Sequence, residues 1–278
     1  MLFRSSKGRK WQAMSDGSIL TQRKVNGELV RASSDYSCEV VTPILQYDDL
    51  EDLQNIIREL RKAGAIANSS CGIHVHVDGA NHTPESLTRL MNYAIGRQDL
   101  IYEALEIGAR ANRWCQKMNK KLLQAMKDDQ AKTKDSLERI WYSAVNDGYS
   151  SGISHEHYNS TRYHGINLHA FFTKGTVEFR LFNGTTHAGK IKAYVQFCLA
   201  MSAWAIECPN NNLYFKGIAG YWANRQISSF AQFRGWLLFC LLPDPRSGLL
   251  PCLLHGLLHG LLHGLLPWRR VPPWRWRC

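Results

Sequence analysis

Two short segments constrain this chain more than any other feature. Gly72-Ile-His-Val-His-Val-Asp78 and Gly175-Thr-Val-Glu-Phe-Arg-Leu-Phe182 alternate polar with apolar residues at a period of two. That is the period of a half-buried β-strand, because successive side chains leave opposite faces of a sheet. His74, His76 and Asp78 share one face of the first strand, and Ile73, Val75 and Val77 share the other. In the second, Thr176, Glu178 and Arg180 lie opposite Val177, Phe179 and Leu181. The apolar faces need a cover, and the sequence supplies helices to provide it.

Residues 48–63 repeat apolar residues at spacings of three and four (Leu50, Leu53, Ile56, Ile57, Leu60), the mark of an amphipathic helix. Thr83-Pro84-Glu85 reads as a cap, a first-position proline and an acidic first turn, opening a helix to about residue 96 with more helix to about 125. Residues 136–144 read as a weaker helix and 188–207 as a long apolar one. Residues 37–45 read as a strand halted at Pro43. Residues 163–172 and 176–182 read as paired strands joined at Thr173-Lys174-Gly175, and Asp16-Gly17 as a hairpin turn. Residues 1–34 are otherwise polar, 147–160 form a Gly/Ser/His-rich loop, and 218–233 hold short helix and loop. The fold class is therefore α+β: an antiparallel sheet with the site on one face and helices on the other.

Residues 1–235 form the body. Residues 236–278 differ in kind, with Leu-Leu-His-Gly repeated around His255, His259 and His263 before a Trp/Arg/Pro-rich end. No solenoid repeat is four residues long, so this is a low-complexity tail expected to lack native structure. A product of a shifted reading frame, an interfacial helix and a histidine metal site are its three readings. The net charge of +11 falls to +7 for the body, with 29 basic and 22 acidic residues. Such a balance permits an anionic partner without choosing one. No RNP, helix-turn-helix or zinc-finger pattern is present, so no specific nucleic acid is expected. The body cysteines form no framework and are read as reduced and buried, no signal peptide opens the chain, and the body is read as cytoplasmic and not membrane-bound.

Three constellations could carry chemistry. His74, His76 and Asp78 on one strand face suit a metal or phosphate edge. Glu178 and Arg180, two apart on a strand, are either a surface pair or a site pair. A carboxylate holds a hard cation and a guanidinium grips phosphate. Glu39 stands on a third strand. The stretch from Gly184 to Lys190 matches a P-loop, but Ile191 stands where Ser or Thr must hold Mg²⁺, so it is a decoy.

Taken together, these blocks resemble the phage and bacterial amidoligase family, related to glutamine synthetase and γ-glutamyl-cysteine ligase. The resemblance rests on Trp11 with Asp16-Gly-Ser-Ile, Glu39-Val-Val-Thr-Pro-Ile-Leu, and Cys71-Gly-Ile-His-Val-His-Val-Asp78. It continues with Arg162-Tyr-His-Gly-Ile-Asn167-Leu and Gly175-Thr-Val-Glu-Phe-Arg-Leu-Phe-Asn-Gly-Thr185. It implies a glutamine synthetase-like fold and ATP-dependent joining of a carboxylate to an amine through an acyl phosphate, with ATP and Mg²⁺ as cofactors. The substrates would be a small-molecule or peptide carboxylate and amine. By the resemblance, Glu39, His74 and Glu178 serve the metal, and His76 and Arg180 serve catalysis. Arg162, Asn167, Arg180 and His76 would line the nucleotide or substrate pocket. Arg110 and Arg113 are weaker candidates for an acidic substrate.

The sequence departs from the family in one respect. Family members open with a Phe-Gly-x-Glu-x-Glu strand, and residues 1–10 here contain no acid. The fold is thus expected to be incomplete, and the chain to bind Mg²⁺-ATP poorly or to be inactive. A degenerate non-catalytic fragment and a zinc-dependent hydrolase using His74, His76 and Asp78 stay open as alternatives.

Overall fold

A computed structural model describes residues 2–5, 7–128, 132–146, 152–207 and 274–277. Its centre is a seven-stranded antiparallel sheet. The strands are β1 (Leu2–Arg4), β2 (Lys10–Met14), β5 (Glu39–Val41), β6 (Gly72–Asp78), β7 (Ile166–Asn167), β8 (Thr176–Asn183) and β9 (Trp274–Arg277). Their lateral order is β1-β2-β5-β9-β6-β8-β7. A separate hairpin joins β3 (Gln22–Val25) to β4 (Glu28–Arg31). It turns at Asn26-Gly27, both with positive φ, as a tight hairpin requires.

The helices are α1 (Leu50–Lys62), α2 (Pro84–Ala104), α3 (Lys120–Asp128), α4 (Lys134–Ala144), α5 (His169–Lys174) and α6 (Ala188–Glu207). α6 is the central cover, packed on β6, α1 and α2. It is apolar nearly all round, because it is buried between sheet and helices. The core joins the inner sheet residues Ile73, Val75, Val77, Val177 and Phe179 to Leu87, Leu90, Ile191, Val195 and Leu199 of the helices. Phe182 stacks on Tyr194 of α6 at 4.3 Å between ring centroids. Thr83 caps α2 in a reciprocal box with Ser86, and Thr133 caps α4 in the same way with Ser136.

The α+β class is as expected. Two local expectations are corrected. Of the stretch 163–172, only Ile166 and Asn167 form strand. A one-turn helix follows, pinned by Thr173 Oγ1 donating to the His169 carbonyl (2.7 Å) and closed by Gly175 at φ 69°. Asp16-Gly17 does turn, with Ser18 N donating to Asp16 Oδ1 at 2.8 Å, but β2 pairs with β1 and β5 rather than across that turn. Trp274–Arg277 is a strand inside the sheet, between β5 and β6, where the backbone ladders of both neighbours hold it. The rest of 236–278 and the segment 218–233 lie outside the described residues. The four described cysteines are free thiols; Cys115 and Cys198 are buried as expected, whereas Cys71 is half-buried and Cys38 is exposed, which corrects the expectation for those two. No helix among the described residues is long and apolar enough to cross a membrane.

Candidate active site

β6 and β8 pair antiparallel, with His76 opposite Glu178 and Asp78 opposite Thr176. β7 adds Asn167 opposite Glu178 on the far side. Directly paired residues share a face. The polar faces expected from the two alternating segments therefore merge into one row. The register shifts between Ile73 and Val75, so β8 carries an extra residue opposite His74. Such a bulge twists its strand and re-aims side chains. It falls at Arg180–Leu181, and the Arg180 amide there donates to the Gly165 carbonyl at 2.8 Å.

Glu178 is the hub. Its Oε1 accepts from an Arg180 guanidinium nitrogen at 2.8 Å and faces His76 Nε2 at 3.4 Å and His74 Nδ1 at 3.5 Å. Its Oε2 accepts from Asn167 Nδ2 at 2.6 Å. His76 is oriented from behind by Thr176, Nδ1 to Oγ1 at 2.9 Å. Arg180 Nε donates to the Trp114 carbonyl at 3.2 Å, and the guanidinium lies over the Tyr163 ring at 5.6 Å. Glu178, Arg180 and Asn167 are all buried, whereas the His74 side chain is 21% exposed, so the row opens to solvent at His74.

The electrostatics follow from this packing. Burial alone would raise the Glu178 carboxyl, but attraction to His76 and Arg180 outweighs it and holds the group well below the usual carboxylate range. Burial, then the Arg180 guanidinium and more weakly Arg110, push His74 well below the usual imidazole range. At neutral pH the row thus holds a fixed carboxylate, a fixed guanidinium and a neutral His74. Arg110 is a second buried guanidinium. It donates to the Phe182 carbonyl and lies against Gly72, where a Cβ would overlap it.

The expected site residues separate into two groups. His74, His76, Glu178, Arg180 and Asn167 come together. Arg162 stands one aromatic ring away. It lies over Tyr163 at 5.7 Å, the same ring that Arg180 lies over, and donates to the His157 carbonyl at 2.6 Å. Arg113 is exposed over the Trp114 ring at 4.3 Å, and Trp114 meets Tyr163 edge-on at 5.6 Å. Glu39 opens β5 opposite Met14, and β9 stands between β5 and β6. Asp78 Oδ1 accepts the Ala80 amide at 3.1 Å. Tyr163 and Trp114 join the site without a role expected from the sequence. Tyr163 sits beside Arg162 in the sequence, but a lone aromatic in a loop carries no periodic signal.

Among the described residues, no group of three or more His, Cys, Asp and Glu side chains is placed to hold a metal ion. The oxygen donors at the site are the Glu178 carboxylate and Asn167 Oδ1, which is buried and has no hydrogen-bond partner among the described residues. One carboxylate and one amide oxygen do not make a cage for a bare ion. They do fit Mg²⁺ arriving with phosphate, since that ion is held by one or two protein oxygens with phosphates and waters completing its shell.

The site is thus a buried carboxylate–guanidinium pair flanked by two histidines on one face of an antiparallel sheet. The chain matches the family model described as "Putative amidoligase enzyme" over residues 3–202, and it belongs to that family. This places it among ligase-type enzymes. No curated protein and no solved structure matches the chain.

Proposed function

We propose that the protein is an ATP-dependent carboxylate–amine ligase that forms an amide through an acyl phosphate. The observation that carries this reading, beside the family, is the buried Glu178–Arg180 pair with His74 and His76. The nucleotide would supply the activating phosphoryl group, and Mg²⁺, held by Glu178 and Asn167 with His74 at the open edge, would offset its charge. The remaining steps rest on the chain's own groups. Arg180, fixed by Glu178 and the Trp114 carbonyl, grips phosphoryl oxygens without reorganising. His76, held by Thr176, offers its Nε2 edge beside them. The substrate carboxylate attacks the terminal phosphorus and the diphosphate leaves. The amine then attacks the acyl carbon and inorganic phosphate leaves, the amine proton passing to solvent. Arg162 and Tyr163 flank the pocket for nucleotide or substrate. The carboxylate and amine are small molecules or peptides.

The zinc-hydrolase alternative draws no support from the geometry, because Asp78 is spent on Ala80 and His76 Nε2 faces Glu178. Hydroxylamine trapping tests the ligase reading. With Mg²⁺-ATP and a panel of carboxylates, hydroxamate and ADP are expected to form together, and Arg180→Ala is expected to abolish both. ADP released without any carboxylate requirement would overturn the reading.

A further inference from the structure

Arg180, the guanidinium at the centre of the site, lies over the Tyr163 ring at 5.6 Å. Arg162 lies over the same ring at 5.7 Å and over the Tyr158 ring at 5.7 Å. Guanidinium and aromatic groups therefore alternate from the buried row to the surface, as Arg180, Tyr163, Arg162 and Tyr158. Exposure rises along that path. Arg180 is buried, Tyr163 and Arg162 are half-buried, and Tyr158 is 77% exposed, more than any other exposed large hydrophobic side chain among the described residues.

An exposed tyrosine on a loose loop would mean little. This one is carried by a pinned segment. Before it in the chain, His155 Nε2 meets Glu138 Oε1 of α4 at 2.6 Å. After it, the buried Asn159 accepts at Oδ1 from the Thr161 amide at 2.9 Å and from Thr161 Oγ1 at 2.7 Å. Arg162 donates to the His157 carbonyl at 2.6 Å, which ties the two ends of the segment together. A ring presented by a preset backbone loses little freedom when a ligand covers it.

The chemistry of the pair narrows what that ligand is. The face of a tyrosine ring is electron-rich and disfavours a carboxylate, while the guanidinium beside it disfavours an ammonium group. A flat, uncharged heteroaromatic ring suits both, since nucleobases stack on aromatic side chains and on arginine planes alike.

We propose that Tyr158 and Arg162 form the subsite for the base of the nucleotide, with its phosphates directed toward Arg180. This rests on the ligase reading and assigns the end of the nucleotide that the reading leaves unplaced. The path through Tyr163 connects the two ends.

Calorimetry on the full chain tests it, with Mg²⁺-ATP and Mg²⁺-tripolyphosphate as probes. Tripolyphosphate keeps the phosphates and lacks the base. Tyr158→Ala is expected to weaken ATP binding at least about fivefold, the loss of about 1 kcal/mol that a stacked base carries, and Tyr158→Phe to keep the parent affinity. Parent and Tyr158→Ala should not differ toward tripolyphosphate. Equal ATP affinity in parent and Tyr158→Ala, an equal loss with both probes, or a Phe variant as weak as the Ala variant would overturn the base subsite and leave the ligase reading standing. No ATP binding by the parent would overturn both.

Discussion

His82 should make this fold acid-labile in a defined window. It is buried just before α2, with Nδ1 at 2.9 Å from Ser86 Oγ and Nε2 at 2.8 Å from Ser202 Oγ of α6. Ser86 Oγ already donates to the Thr83 carbonyl at 3.0 Å, so it must accept from Nδ1–H, and Nε2 must accept from Ser202. That pattern selects the neutral ring. Burial, with Arg89 nearby, lowers the imidazole from 6.5 to about 4. Above about pH 6.5 neither the folded nor the unfolded state is protonated, and the contribution is fully present. As pH falls toward 4 only the unfolded chain takes the proton, so stability is lost. Between about pH 7 and about pH 5 this amounts to about 2 kcal/mol, from the two protonation equilibria. The assay is urea unfolding across that range for the parent and for His82→Gln, which can still hydrogen-bond the two serines but does not titrate. The parent should lose about 2 kcal/mol more than the variant on acidification. Parallel curves would refute the argument that a neutral His82 ties α2 to α6.

Two further outcomes follow from packing. Glu178→Ala leaves the Arg180 guanidinium buried without its carboxylate, and should cost about 3–5 kcal/mol in chemical denaturation; a loss below about 1 kcal/mol would mean that the pair is not buried as described. Gly79→Ala would set a Cβ 2.7 Å from the Gly175 carbonyl oxygen and 2.7 Å from the Phe171 ring, neither of which is a flexible chain end, so about 1–3 kcal/mol of destabilisation is expected from thermal unfolding.

The site row was legible because its signal is local. His74 and His76, and Glu178 and Arg180, sit on strands whose alternation is visible in seven or eight residues, and Asn167 followed from the family blocks. The helix at 188–207 was equally clear from its apolar length. What escaped the sequence was lateral order. Nothing in the residues around Glu39 says that another strand separates β5 from β6. β9 escaped because the Leu-Leu-His-Gly repeats dominate the tail and four alternating residues are too few to establish a period, while the partner strands lie far away in the chain. The β3–β4 hairpin carried a strong signal at Asn26-Gly27, but its mostly exposed strands lack the apolar face that draws attention to a strand. The bulge at Arg180–Leu181 is a product of register and has no local signature.

The central claim is that the Glu178–Arg180 row binds a nucleotide for ligation. Calorimetric titration of the full chain with Mg²⁺-ATP tests it. The account predicts saturable binding in the parent that Arg180→Ala weakens by at least about tenfold, the loss of about 1.4 kcal/mol or more. Absence of binding in the parent, or equal binding in the Arg180 variant, would contradict it.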